Sequence, residues 1–221
     1  MSQGGFIVIE GIDGCGSTTQ VQRLGAALRT RGVPTHTTCE PTSGPVGTLI
    51  RQALRGELRR EGGPAATLDW VSLALLFAAD RADHDAAVLT PLLADGAVVV
   101  SDRYLLSSLA YQSASSPDPG GVLPWIRTLN GRVRRPDLTI VLDVPARVAA
   151  ARRATRAAPA ELFEVDDLQH RLAELYARAE ELVPQDRLVH LDGTASAEVV
   201  TRRILEALDA WWAERGARLE E

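Results

Sequence analysis

Residues 6–19 read Phe-Ile-Val-Ile-Glu-Gly-Ile-Asp-Gly-Cys-Gly-Ser-Thr-Thr, and the fold turns on them. Phe6–Glu10 is a short β-branched apolar run ending in glycine, the pattern of a buried strand. Helical spacing follows at once. Val21, Leu24 and Leu28 fall at i, i+3 and i+7, and Gly32 closes a helix expected over Thr18–Arg31. The connection, Gly11-Ile12-Asp13-Gly14-Cys15-Gly16-Ser17-Thr18, compares with the phosphate-loop pattern G-x-x-x-x-G-K-[ST]. Both glycines and the final hydroxyl match, but Ser17 stands where lysine belongs. By itself the loop is either a tight glycine turn or a cradle in which backbone N–H groups and a helix N-terminus receive phosphate. The strand–loop–helix setting favours the cradle, with Gly11 to Thr19 around the phosphates and the Thr18 hydroxyl as a ligand to Mg²⁺.

Outward from this stretch, strands are expected at Val33–Cys39, Ala97–Ser101, Leu138–Val144 and Leu188–Asp192. Helical patterns cover Thr48–Leu58, Leu68–Leu93 (broken near Pro91), Leu105–Ser113, Gly121–Asn130, Ala146–Arg156, Val165–Leu182 and Ala197–Glu214. Strands alternating with helices predict a parallel sheet covered on both faces, and no repeat or linker divides the chain. The expected architecture is one doubly wound α/β domain over residues 1–221.

The 221 residues are 45% hydrophobic and 24% charged, the composition of an ordinary globular chain. A net charge of −5 argues against a protein that coats nucleic acid. Cys15 and Cys39 make no CxxC pair or disulfide framework, no apolar run is long enough for a membrane span, and MSQGGFIVIEG lacks the layout of a signal peptide. A cytoplasmic protein without membrane or nucleic-acid partners is therefore expected. His36, His84, His170 and His190 have no metal-ligand spacing, which argues against zinc. All 24 basic side chains are arginine. Losing a charged hydrogen bond at Ser17 costs about 1.5–3 kcal/mol, and any cation this chain supplies in compensation is an arginine.

Three further segments carry a family resemblance. They are Glu40-Pro41-Thr42-Ser43-Gly44-Pro45 with Ile50-Arg51, Leu75-Leu76-Phe77-Ala78-Ala79-Asp80-Arg81-Ala82-Asp83-His84, and Asp102-Arg103-Tyr104-Leu105-Leu106-Ser107-Ser108-Leu109-Ala110-Tyr111-Gln112. With the loop, and in this order, they resemble bacterial thymidylate kinase (dTMP kinase), nearly end to end. The resemblance implies a P-loop kinase fold, a five-stranded parallel sheet flanked by helices with a mobile lid. It implies phosphoryl transfer from ATP to dTMP with Mg²⁺, giving ADP and dTDP, and a homodimer.

The residue chemistry and the resemblance meet at particular positions. Asp102, at the end of a strand, is either a helix N-cap or a carboxylate for Mg²⁺. Arg51 and Arg103 are either solvated charges or a bidentate grip on the acceptor phosphate, and the resemblance favours the grip. Asp13 is either an Asx-turn residue or the family's acidic loop position near the acceptor. Phe77 is either core or, as the resemblance implies, a stacking partner of thymine. Arg81 and Gln112 would then hydrogen-bond the base, Tyr111 lie against the deoxyribose, and Glu40 and Ser107 complete the pocket.

The family's catalytic arginine sits in the loop or in a lid after the fourth strand. Gly14 occupies the loop position here, so the lid over about 152–164 is implied, with Arg152, Arg153 and Arg156 as catalytic candidates. Glu161-Leu162 replaces a common Asp-Arg pair, leaving one lid arginine fewer. Two alternatives stay open: a nucleotide-binding paralogue weakened in catalysis, resting on Ser17 alone, and a kinase for another nucleoside monophosphate. Cys15 is either inert or an oxidisable thiol in the loop.

Overall fold

The computed structural model describes residues 4–59, 68–155, 162–163 and 165–217. Five parallel strands, β1 (Gly5–Glu10), β2 (Thr35–Cys39), β3 (Val98–Asp102), β4 (Leu138–Asp143) and β5 (Leu188–Asp192), form one sheet in the order β2-β3-β1-β4-β5. Burial explains that order. Every residue of β1 and β3 is buried, as their apolar stretches Phe6–Ile9 and Val98–Val100 require, whereas the threonine-rich β2 and the half-buried β5 take the edges.

Helix α1 (Ser17–Thr30) returns the chain to the sheet, burying Val21, Leu24 and Leu28. At the other end of the chain, α10 (Ala197–Ala217) packs beside α1 and buries Ile204, Leu208 and Trp211 in the core. The chain leaves β1 toward β2 and leaves β3 toward β4, so a crevice opens over the C-terminal end of β1, the place where open α/β sheets bind ligands. The register sets Ile9 beside both Asp102 and Ile140, bringing the end of β3 to the loop that follows β1.

Four expected elements differ from those observed. Helix α2 spans Pro45–Leu54 rather than Thr48–Leu58: Pro45 fits the first helical turn, where no N–H is needed, and Gly56 ends the helix with φ 65°. Pro91 does not break the long helix. The chain stays helical from α3 (Trp70–His84) through a wide π-turn at Asp85–Leu89 into α4 (Thr90–Ala94). The wide turn accommodates the N–H that Pro91 lacks and the carbonyl its ring would crowd. The helix expected over Val165–Leu182 divides into α8 (Asp166–Tyr176) and α9 (Ala179–Leu182). Helix α7 is Ala146–Ala154, ending before Arg156, which lies outside the described residues. The two helices after β3, α5 (Leu105–Ser115) and α6 (Pro119–Leu129), lie where expected.

Candidate active site

The loop after β1 is shaped by three glycines in the left-handed region, Gly11 (φ 152°), Gly14 (φ 93°) and Gly16 (φ 99°). Gly14 is also hemmed in: a Cβ there would lie 2.5 Å from the Ala149 carbonyl oxygen and 3.1 Å from Arg153 Cγ, so α7 packs directly on the loop. No side chain caps the start of α1 and no acid lies in its first turn, which leaves its N–H groups and positive dipole end open to an anion.

Two arginines of α7 grip this loop through its carbonyls. Arg153 Nη1 donates to Asp13 O at 2.6 Å, and Arg152 Nη1 donates to Cys15 O at 3.1 Å. Arg152 Nη2 also donates to Gly193 O at 2.9 Å, on the rim of a cavity of about 340 Å³ lined by Gly16, Thr19, Gln20 and Ser196. Carbonyl acceptors leave the guanidinium charges in place. The one carboxylate facing Arg153 in the described residues, Asp166 at 3.5 Å, is 79% exposed and so heavily screened. Burial pushes the Cys15 thiol up, the direction of an inert cysteine.

A cleft of about 310 Å³ lies between the loop and the segments following β2 and β3. At its phosphate-loop end, the Thr18 hydroxyl donates to Asp102 Oδ2 at 2.5 Å, while Asp102 Oδ1 is buried without a partner among the described residues. A hydroxyl and a carboxylate oxygen side by side, one of them unsatisfied, form a donor set that suits Mg²⁺.

Arg103 stands at φ 69°, a left-handed conformation costing about 1–3 kcal/mol that turns its side chain into the cleft. Its Nη2 donates to Asp13 Oδ1 at 2.6 Å, its Nη1 to Gly11 O at 3.0 Å and Ser107 Oγ at 3.1 Å, and its guanidinium lies over the Tyr111 ring. Asp13 Oδ2 accepts from Tyr111 OH at 2.9 Å. Arg51, on α2, donates to Pro41 O and, at 3.4 Å, to Thr42 O. These acceptors are neutral, so among the described residues its charge faces the cleft unpaired.

The far wall holds the residues expected at the base. Phe77 is half-buried and lines the cleft, so it is not core. Gln112 is 2% exposed, yet among the described residues neither Oε1 nor Nε2 has a partner. A buried amide with both ends unsatisfied costs several kcal/mol unless something enters to meet it. Arg81 also lines the cleft but is heavily engaged, with Nε to Glu40 Oε2 at 2.9 Å, Nη1 to Asn130 Oδ1 at 2.6 Å, and Nη2 to Ser108 Oγ at 2.8 Å and Tyr104 O at 3.2 Å. One of its five N–H groups is left for a ligand. Glu40 is bound to Arg81 and lies 3.0 Å from His84 Nδ1, and Ser107 donates its hydroxyl to Glu10 Oε2 at 2.6 Å. Both also line the cleft, with these polar atoms already engaged.

Several participants carry no motif of their own: Glu10, Asn130, Phe163, Gln169 and Tyr176. Glu10 had one signal, a charge closing an otherwise apolar strand. It is fully buried and accepts from the backbone N–H of Tyr104 at 2.8 Å and from Tyr176 OH at 3.0 Å. Burial raises its carboxyl above 4.5, against the pull of Arg103. A raised folded-state value favours the protonated form, so its contribution to stability is full below the unfolded value and is lost as pH rises through the folded one. The melting temperature of the wild type minus that of Glu10→Gln is thus expected to fall as pH is raised from about 4.5 to 7. A difference that stays constant or grows over that span contradicts the assignment.

Of the expected lid, Arg152 and Arg153 are on α7 and on the loop, and Arg156, Glu161 and Glu164 are outside the described residues. Leu162 N–H donates to Leu54 O at 3.0 Å, joining this stretch to the end of α2, and Phe163 meets the Tyr111 ring edge-on with centroids 5.3 Å apart.

Residues 9–204 match the family model described as "Thymidylate kinase". A probable thymidylate kinase of Pyrococcus horikoshii is 38% identical over 188 residues, 85% of this chain and 88% of that one. A thymidylate kinase of Geobacter sulfurreducens is 42% identical over 153 residues, 69% of each chain. A solved thymidylate kinase structure from Candida albicans has the same fold, with a TM-score of 0.76 over 94% of this chain and 92% of that one at 23% identity.

Proposed function

This chain belongs to the thymidylate kinase family, ATP-dependent nucleoside monophosphate kinases, and we propose that its cleft transfers the γ-phosphoryl group of ATP to dTMP, giving ADP and dTDP. The observation that carries the reading is Gln112, an amide buried with both ends unsatisfied among the described residues, in the cleft wall that Phe77 also lines. The edge of a pyrimidine supplies the donor and acceptor that such an amide lacks, and the Phe77 ring supplies a face to stack on. Arg81 adds its remaining N–H, and Tyr111 packs beside the sugar.

The acceptor phosphate, with a second pKa near 6, is mostly dianionic at neutral pH, so no general base is required. Arg51 and Arg103 hold it against the loop, with Asp13 fixing Arg103. The residues from Gly11 to Thr19 receive the donor phosphates through backbone N–H groups, and Arg152 and Arg153 supply the charge that Ser17 lacks, with Arg156 as a third candidate. Thr18 and Asp102 would hold Mg²⁺, which neutralises charge on the transferring phosphates. The rest of catalysis is in-line alignment and exclusion of water as a lid over about 152–164 closes.

The same reading takes residues 1–221 as one domain in the cytoplasm. Among the described residues no helix is long and apolar enough to cross a membrane. It also includes a homodimer, to which α3 brings Leu75, 48% exposed. A coupled ADP-release assay over dTMP, dUMP, CMP and AMP tests the substrate. Fastest turnover with dTMP is expected; no turnover with dTMP, or a clear preference for CMP or AMP, refutes the reading.

A further inference from the structure

Gln169 lies on α8 between Leu168 and Leu172, on the face of an amphipathic helix that points into the core, and it is fully buried. A polar side chain survives there only if its hydrogen bonds are met. They are. Oε1 accepts the backbone N–H of Asp13 at 3.2 Å, while Nε2 donates to Asp13 Oδ2 and to the carbonyl of Phe163, both at 2.8 Å. Only this amide orientation works, because the reverse would set NH₂ against the Asp13 N–H and a carbonyl against a carboxylate.

We propose that Gln169 is a positioning residue of the acceptor cleft: one amide fixes which way Asp13 faces and ties the phosphate loop to the Phe163 wall. Asp13 is the node. With its N–H held by Gln169, its carboxylate is presented to Arg103 and Tyr111, and its carbonyl to Arg153. A displaced Asp13 releases the guanidinium that grips the acceptor phosphate. Phe163, bonded to the same amide, packs edge-on against the tyrosine that Asp13 orients, so loop and wall set each other's position. Glutamine alone suits the site: leucine offers no bond, and a glutamate carboxylate cannot donate and would repel Asp13.

This inference rests on the proposed dTMP kinase activity. The test measures kcat by ADP release and the Kd of dTMP by calorimetry for wild type, Gln169→Leu and Gln169→Glu across about pH 5.5 to 8. Gln169→Leu is expected to lower kcat at least about tenfold and weaken dTMP binding at every pH. Gln169→Glu is expected to be as impaired at high pH but to recover relative to wild type as pH falls, because a protonated carboxyl can again donate to Asp13 while accepting its N–H. That recovery separates positioning from mere packing, and the Gln169→Glu arm stands if the leucine variant fails to fold. Wild-type values in both variants, or a Gln169→Glu to wild-type ratio that does not change with pH, overturn the inference alone. A wild type that neither binds nor phosphorylates dTMP overturns the functional reading and this inference together.

Discussion

Arg103→Met is expected to lower kcat by about 10³-fold, near the lower end of what an arginine contributes to phosphoryl transfer. The guanidinium is bonded to Asp13, Gly11 O and Ser107 and lies over Tyr111, so on the proposed reading it would meet the acceptor phosphate already oriented. Its left-handed backbone is a strain that only a dense set of contacts sustains. Methionine keeps the stem but deletes every one of those bonds, and it leaves Asp13 without the cation it is paired with. Arg103→Lys keeps a charge but not the fork, so it should recover only part of the loss. Steady-state turnover checks this, with near-ultraviolet circular dichroism confirming that the variant is folded. A folded Arg103→Met within a few-fold of wild type would remove Arg103 from the mechanism.

The second large effect is expected at Arg153. Arg153→Met should lower kcat by about 10²-fold, or about 2.7 kcal/mol, with little change in dTMP affinity. Ser17 offers one neutral donor on a short stem, and the chain holds no lysine to replace it. Arg153 is anchored to the loop itself, on the Asp13 carbonyl, and the space a side chain at position 14 would occupy is filled by Ala149 and the Arg153 stem. On the proposed reading, α7 would supply the loop's cation, next door in space though far along the chain. Arg152, held between Cys15 O and Gly193 O beside the second cavity, should act more on ATP affinity than on turnover. Isothermal titration with both nucleotides beside kinetics distinguishes these outcomes.

The centre of this molecule was legible in its sequence because buried parallel strands write themselves as apolar runs. β1, β3 and β4 needed nothing else, and the glycines after β1 announced the loop. Boundaries set by proline were not legible: Pro45 starts α2 and Pro91 is absorbed by a wide turn, outcomes that depend on neighbours the local pattern does not name. In the cleft, Phe77 and Arg81 could be singled out only through resemblance, since helical spacing gives a core phenylalanine and a stacking one the same position. Gln169 and Tyr176 were invisible for a different reason, and Glu10 showed only as a charge closing an apolar strand. Each is a single polar or aromatic letter in an apolar pattern, and its partner lies far off in sequence, 156 residues away for Gln169 and Asp13. The lid arginines divide. Arg152 and Arg153, expected both within a helix over Ala146–Arg156 and at the start of a lid, stand on α7 against the loop, and Arg156 lies outside the described residues.

The most direct measurement is the turnover of Ser17→Lys combined with Arg153→Met. If an α7 guanidinium stands in for the missing ammonium, adding lysine at position 17 should restore at least about tenfold of the turnover that Arg153→Met loses, while Ser17→Lys alone gains little over wild type. Wild-type turnover in Arg153→Met, or a double variant no faster than Arg153→Met, would contradict the account.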